Sequence, residues 1–112
     1  MLVHCVYFWL RDDLGAAERA AFDAGLRSLT TIDSVARSEI GTPAGTRRPV
    51  IDSSYSAALI AWFADLRAHD AYQAHPTHDA FRKTCSGYWT KVQIYDLELA
   101  PAAPAGSPSP RG

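Results

Sequence analysis

Leu2 to Leu10 read "LVHCVYFWL", and strict alternation puts Leu2, His4, Val6, Phe8 and Leu10 on one side and Val3, Cys5, Tyr7 and Trp9 on the other. Both sides are apolar and rich in β-branched and aromatic residues, the mark of a central strand covered on both faces. The period then changes. From Ala16 to Leu29, Ala17, Phe22, Leu26 and Leu29 recur at helical spacing, with Arg19, Asp23 and Arg27 largely opposite. Asp12 or Asp13 is expected to cap this helix, since a short acid accepts from free N–H groups and suits the positive end of the helix dipole.

Val35 to Ile40 reads as a short strand, and "GTPAGTRRPVIDSS" after it as a loop, because glycine, proline and small polar residues cluster there. Tyr55 to Phe63 returns to a strand that is apolar on both faces. Asp65 is placed to cap a second helix running from Leu66 to about Ala74. Pro76 ends it, because a residue before proline avoids the α region, and Pro76 itself can open a further helical piece towards Lys83. Trp89 to Leu99 forms the last strand, with Val92, Ile94 and Asp96 on one face and Gln93, Tyr95 and Leu97 on the other.

The order β-α-β-β-α-β predicts an α+β, ferredoxin-like fold: a four-stranded antiparallel sheet with two helices on one face. The helices leave the other face open, yet Tyr7, Trp9, Ile60, Trp62 and Tyr95 load it with rings and aliphatic groups. A patch of that kind calls for a partner, and the simplest is a second copy, so a homodimer through the open sheet face is expected.

Composition narrows the classes. The 112 residues are 47% hydrophobic and 21% charged, with a net charge of −1, as in an ordinary globular domain. No basic run exceeds two residues, as at Arg47-Arg48, and nucleic-acid binding needs a dense positive face. The apolar start is too short to span a bilayer and lacks a signal peptide's basic segment and cleavage site. No membrane or nucleic-acid partner is therefore expected. Cys5 and Cys85 make no disulfide framework, and the expected location is the reducing cytoplasm. Residues 1–100 are expected to form one domain. Residues 101–112, "PAAPAGSPSPRG", hold four of the seven prolines and no large apolar side chain, so a disordered tail is expected.

The segment "AYQAHPTHDAF", Ala71 to Phe81, packs a tyrosine, two histidines and an aspartate together. His75 and His78 lie three apart, but the intervening proline and the lack of further ligands argue against a closed metal site, and no metal is expected. For His75 the structural role is favoured: satisfying carbonyls freed at the helix break. His69 lies on the same helical face as Tyr72, either as a half-buried surface ring or as a pocket wall.

"LVHCVYFWLRDD", "SSYSAALIAWFAD", "AYQAHPTHDAF" and "WTKVQIYDLEL" together resemble the dimeric α+β barrel, stress-responsive (Dabb) family over roughly residues 1–99. Tyr72-x-x-His75-Pro76-x-His78, with the later Ile94-x-Asp96, carries most of the likeness. Within the family the chain resembles the olivetolic acid cyclase branch, cofactor-free polyketide cyclases that close a linear chain by intramolecular aldol condensation. That resemblance implies a catalytic Tyr72 and His78, assisted by His4 and Asp96. It departs at Ala57, where the cyclase has a histidine, and at His69, where the family usually has an aliphatic residue, so the pocket differs.

The chemistry agrees with those residue types. In this topology the last strand lies beside the first, which brings His4 and Asp96 to one rim, facing the helices. A cavity between sheet and helices, walled by Val6, Phe8 and Ile94, is expected to collect all four polar side chains. Neutral His78 suits removal of a proton from an acidic C–H, Tyr72 suits donation to the oxygen that gains charge, and His4 or Asp96 suits holding His78 in one tautomer. No cofactor is required, since C–H groups between two carbonyls are already acidic. The expected function is a dimeric protein with a pocket for a hydrophobic small molecule and cyclase-like activity. The alternative is a non-catalytic, stress-responsive ligand-binding dimer, in which Tyr72, His78 and Asp96 form only a buried hydrogen-bond network. Monooxygenation of an activated ring, known in similar folds, has no visible constellation here.

Overall fold

A computed structural model describes residues 1–101; apart from Pro101, the expected tail lies outside the described residues. The elements are β1 (Leu2–Leu10), α1 (Ala16–Leu29), β2 (Arg37–Gly41), β3 (Ala57–Phe63), α2 (Leu66–Gln73), α3 (Pro76–Cys85), a 3-10 turn (Ser86–Tyr88) and β4 (Trp89–Glu98). The sheet order is β2-β3-β1-β4, and every pairing is antiparallel. This is the ferredoxin-like α+β fold, with the second helical region divided in two at Pro76.

Several boundaries move for local reasons. Neither Asp12 nor Asp13 caps α1. Gly15 holds that place in extended backbone, and the Glu18 carboxylate accepts its N–H at 3.0 Å. Asp13 is engaged elsewhere, taking two hydrogen bonds from the Arg11 guanidinium. β2 starts at Arg37, two residues later than the pattern suggests, because the Val35 N–H turns back to the Ile32 carbonyl. Tyr55 precedes β3 instead of opening it, and its ring leans on Tyr7 and Trp9. Ala17, expected on the buried stripe of α1, is exposed. Asp65 does cap α2, accepting from the Ala68 N–H at 2.9 Å.

The core lies between the sheet and the helices. Phe22, Leu26 and Leu29 of α1 and Phe81 and Cys85 of α3 pack on Leu2, Val6 and Phe8 of β1 and on Leu59, Ala61 and Phe63 of β3. Burying each of the larger side chains stabilises by roughly 1.5–3 kcal/mol. Gly25 lets α1 approach α3, since a Cβ there would stand 2.8 Å from Phe81 Cδ1 and 3.0 Å from Cys85 Sγ. The helices stop short of β4. Val92 and Ile94 face them but stay 40% and 44% exposed, and the inner face is open along that edge.

Candidate functional site: a cavity beneath the Pro76 break

In the β1–β4 register His4 stands opposite Asp96, Val6 opposite Ile94 and Phe8 opposite Val92. Cross-strand partners share a face, so these six side chains point towards the helices. His4 is 2% exposed, and its Nδ1 lies 2.5 Å from Asp96 Oδ1. Burial lowers the His4 pKa below the ordinary 6.5, outweighing the Asp96 hydrogen bond and charge that raise it. A neutral ring that donates Nδ1–H to the carboxylate fits both facts.

The break at Pro76 hangs the other two groups over this strand. Tyr72 sits in the last turn of α2 and His78 in the first turn of α3. His75 joins them as the N-cap of α3, its Nδ1 accepting from the Thr77 N–H at 3.0 Å. It therefore satisfies a free donor at a helix start, not the freed carbonyls that the sequence suggests. The Tyr72 and His78 ring centroids lie 5.0 Å apart, and Tyr72 meets His4 edge-on at 5.9 Å. Tyr72 is 2% exposed, and burial drives its phenol pKa well above the usual 10; the hydroxyl keeps its proton. His78 moves the other way. Burial lowers its pKa, the Arg82 guanidinium one turn on lowers it further, and Asp79 partly opposes this. His78 Nδ1 is buried and has no hydrogen-bond partner among the described residues.

These rings border a cavity of about 350 Å³ that His4, Tyr72 and His78 line together with Val6, Phe8, Phe81, Trp89, Val92 and Ile94. Of the four polar residues expected to converge, three do so. Asp96 is not on the lining: it backs His4 from behind, its side chain 43% exposed. His69 is not a pocket wall either; it packs on His4 at 5.0 Å and on Phe63 at 5.5 Å. Gln73, Arg82 and Ser86 also border the cavity and went unnoticed in the sequence. For Arg82 the signal was present, since it follows His78 by four residues on one helix.

Trp89 reaches the cavity through an irregularity. The β1–β4 register slips so that Leu10 pairs with Trp89, one residue out of step with Trp9 and Lys91. Strict alternation from Val92 and Ile94 would turn Trp89 outward; the bulge turns it in, where it stacks on Phe81 at 5.6 Å.

Sheet, helices and cavity define a small α+β protein with a mostly apolar, partly open pocket bearing a phenol and two imidazoles. The chain belongs to the stress-responsive A/B barrel domain (Dabb) family, whose model matches residues 2–99. A Dabb protein from Mesorhizobium loti shares 25% identity over 89% of this chain and 97% of that one, with a TM-score of 0.71. A dimeric ferredoxin-like protein of unknown function from Thermobifida fusca is 19% identical over 88% of this chain and 90% of its own, with a TM-score of 0.72. A hydroxynitrile lyase from Passiflora edulis is 15% identical over 92% and 96% respectively, with a TM-score of 0.74. No curated protein matches the sequence. Among the described residues no helix is long and apolar enough to cross a membrane.

Proposed function

We propose that the protein binds a hydrophobic keto compound in this cavity and closes it by a cofactor-free, intramolecular aldol condensation. The observation that carries the reading is the meeting of Tyr72 and His78, ring centroids 5.0 Å apart, over a cavity of about 350 Å³. The neutral His78 imidazole takes a proton from a carbon between two carbonyls. The enolate carbon attacks a second carbonyl of the same chain and forms the C–C bond. Tyr72 donates a hydrogen bond to the oxygen that becomes an alkoxide, and the proton held by His78 returns to it. A positioned base contributes on the order of 10²–10⁴ in rate, and confining a flexible chain between Phe8, Phe81, Trp89 and Val92 adds proximity. The His4–Asp96 pair holds the cavity floor in one protonation state. A hydroxynitrile lyase of the same fold supports lyase-type chemistry on this scaffold.

The working form in this reading is a homodimer joined through the outer sheet face. Val3, Cys5, Tyr7 and Trp9 share that face with Trp62 and Ile60, the partners of Val3 and Cys5 in the β1–β3 register, and Tyr95, 60% exposed, extends it. A dimeric relative with this fold supports the pairing.

Incubating the purified protein with a linear poly-β-keto acid or thioester, with product detection by mass spectrometry, tests the activity. A cyclised product above the buffer rate is expected. If no such substrate is converted while apolar carboxylic acids raise the melting temperature, the pocket only binds, as in a stress-responsive ligand-binding dimer.

A further inference from the structure

His69 is the one histidine the cavity leaves without work, and its surroundings give it some. Its Nδ1 lies 3.2 Å from the carboxylate of Asp70. With Nδ1–H donating there, Nε2 carries the lone pair, and Nε2 is buried without a hydrogen-bond partner among the described residues. A buried acceptor with nothing to accept is costly, at about 1–3 kcal/mol. The rings of His69 and His4 are 5.0 Å apart, and His4 Nδ1 also meets the Asp96 carboxylate. One ligand atom from each of His4, His69 and Asp96 falls within 4.8 Å of the other two.

We propose that His4, His69 and Asp96 form a binding site for a first-row divalent cation, of the zinc type. Two imidazole nitrogens and a carboxylate oxygen are the donor set such ions take, with three protein ligands leaving a fourth position open. The three come from β1, α2 and β4, so the sheet register and the α2 docking hold them together without a dedicated loop. Ligand atoms of a tetrahedral ion with bonds near 2.0 Å stand about 3.3 Å apart. Without a cation, the His4 Nδ1–H donates to Asp96 Oδ1; the cation displaces that proton and pushes the pair apart. Asp96 has room to yield, being on the edge strand and 43% exposed. His69 closes in by a small tilt. Asp70 then fills the outer role common around ligating histidines, a carboxylate accepting from the other ring nitrogen and fixing the tautomer.

Neither Tyr72 nor His78 is among the three ligands, and the site does not depend on any turnover in the cavity. His75 is outside it, occupied in capping α3.

Isothermal titration of ZnCl₂ into tag-free, chelator-stripped protein tests the proposal, with Co²⁺ absorption reporting coordination geometry. One saturable site per chain and a tetrahedral cobalt spectrum are expected. His69→Leu and Asp96→Asn should each weaken binding by at least about 100-fold, the upper end of what outer contacts alone cost, and Asp70→Asn by about 10-fold. His75→Ala should leave it unchanged. Circular dichroism confirms that each variant is folded. Absence of saturable binding overturns the site, as does wild-type affinity in either His69→Leu or Asp96→Asn. Loss of binding in His75→Ala alone moves the ion to the helix break and overturns it equally.

Discussion

Tyr72 and His78 belong to different helices, yet their rings meet at 5.0 Å and 70°. The contact exists because Pro76 stops one helix and starts the next. A continuous helix would turn residues six apart about 120° from one another; the break folds the second piece back so that both rings point down onto β1.

Removing either functional group should slow the proposed reaction and spare the fold differently. His78→Ala should lower turnover by about 10²–10⁴ with little change in melting temperature, because His78 is only partly buried. Tyr72→Phe keeps the packing on Phe63 and His4 and removes only the donor, so a loss of about 10²–10³ in kcat is expected. If both variants are folded by circular dichroism and turn over as wild type, the assigned roles are wrong.

The acid limb of the rate should lie low. The folded-state pKa of His78 is below 6.5, by burial first and the Arg82 charge second. The neutral base therefore persists below pH 6.5, and kcat/KM should fall only as pH drops through the depressed value. Arg82→Gln removes the second cause, so its acid limb should shift upward towards 6.5. The sign for stability is the same: a histidine with a depressed folded pKa contributes fully above 6.5 and loses that contribution as pH falls through the folded value. A pH–rate profile of the two proteins decides the matter; an unmoved limb would remove Arg82 from the site's electrostatics.

Gly25 is a packing residue. Alanine there gains helix propensity, up to about 1 kcal/mol, but its Cβ would lie 2.8 Å from the Phe81 ring. Overpacking of this kind costs about 1–3 kcal/mol, so Gly25→Ala should be neutral to destabilising and Gly25→Leu clearly destabilising by urea midpoint. A stabilised Gly25→Leu would mean that α1 and α3 part easily.

Trp62→Asp should give monomer. The residue sits on the outer face under the Arg37 guanidinium, 4.6 Å from it, so the new carboxylate finds a cation within its own chain and the fold survives. In a sheet-to-sheet contact the same charge is buried at a cost. Light scattering should report half the wild-type mass; an unchanged mass would place the dimer contact elsewhere.

Much of this was legible in the chain. The two-sided apolar pattern of Leu2 to Leu10 marks β1 as central, and topology alone then sets His4 beside Asp96. The Tyr72–His78 relation followed from Pro76, whose backbone constraint is local. What failed was of another kind. Asp12 and Asp13 look like caps, but Glu18 reaching back to Gly15 and the Arg11–Asp13 fork are choices between partners of similar strength, which spacing does not rank. Trp89 needed a bulge that alternation cannot foresee. Asp96 stays off the cavity lining although it shares the face of His4, a matter of side-chain reach rather than of face.

β4 pairs with β1 alone and carries Trp89, Val92 and Ile94 along the open rim. One wall of the chamber is thus an outermost ribbon, fastened by a single row of backbone hydrogen bonds, while the opposite walls are anchored from several directions. The ribbon's amides should trade protons with solvent sooner than those of β1 or β3.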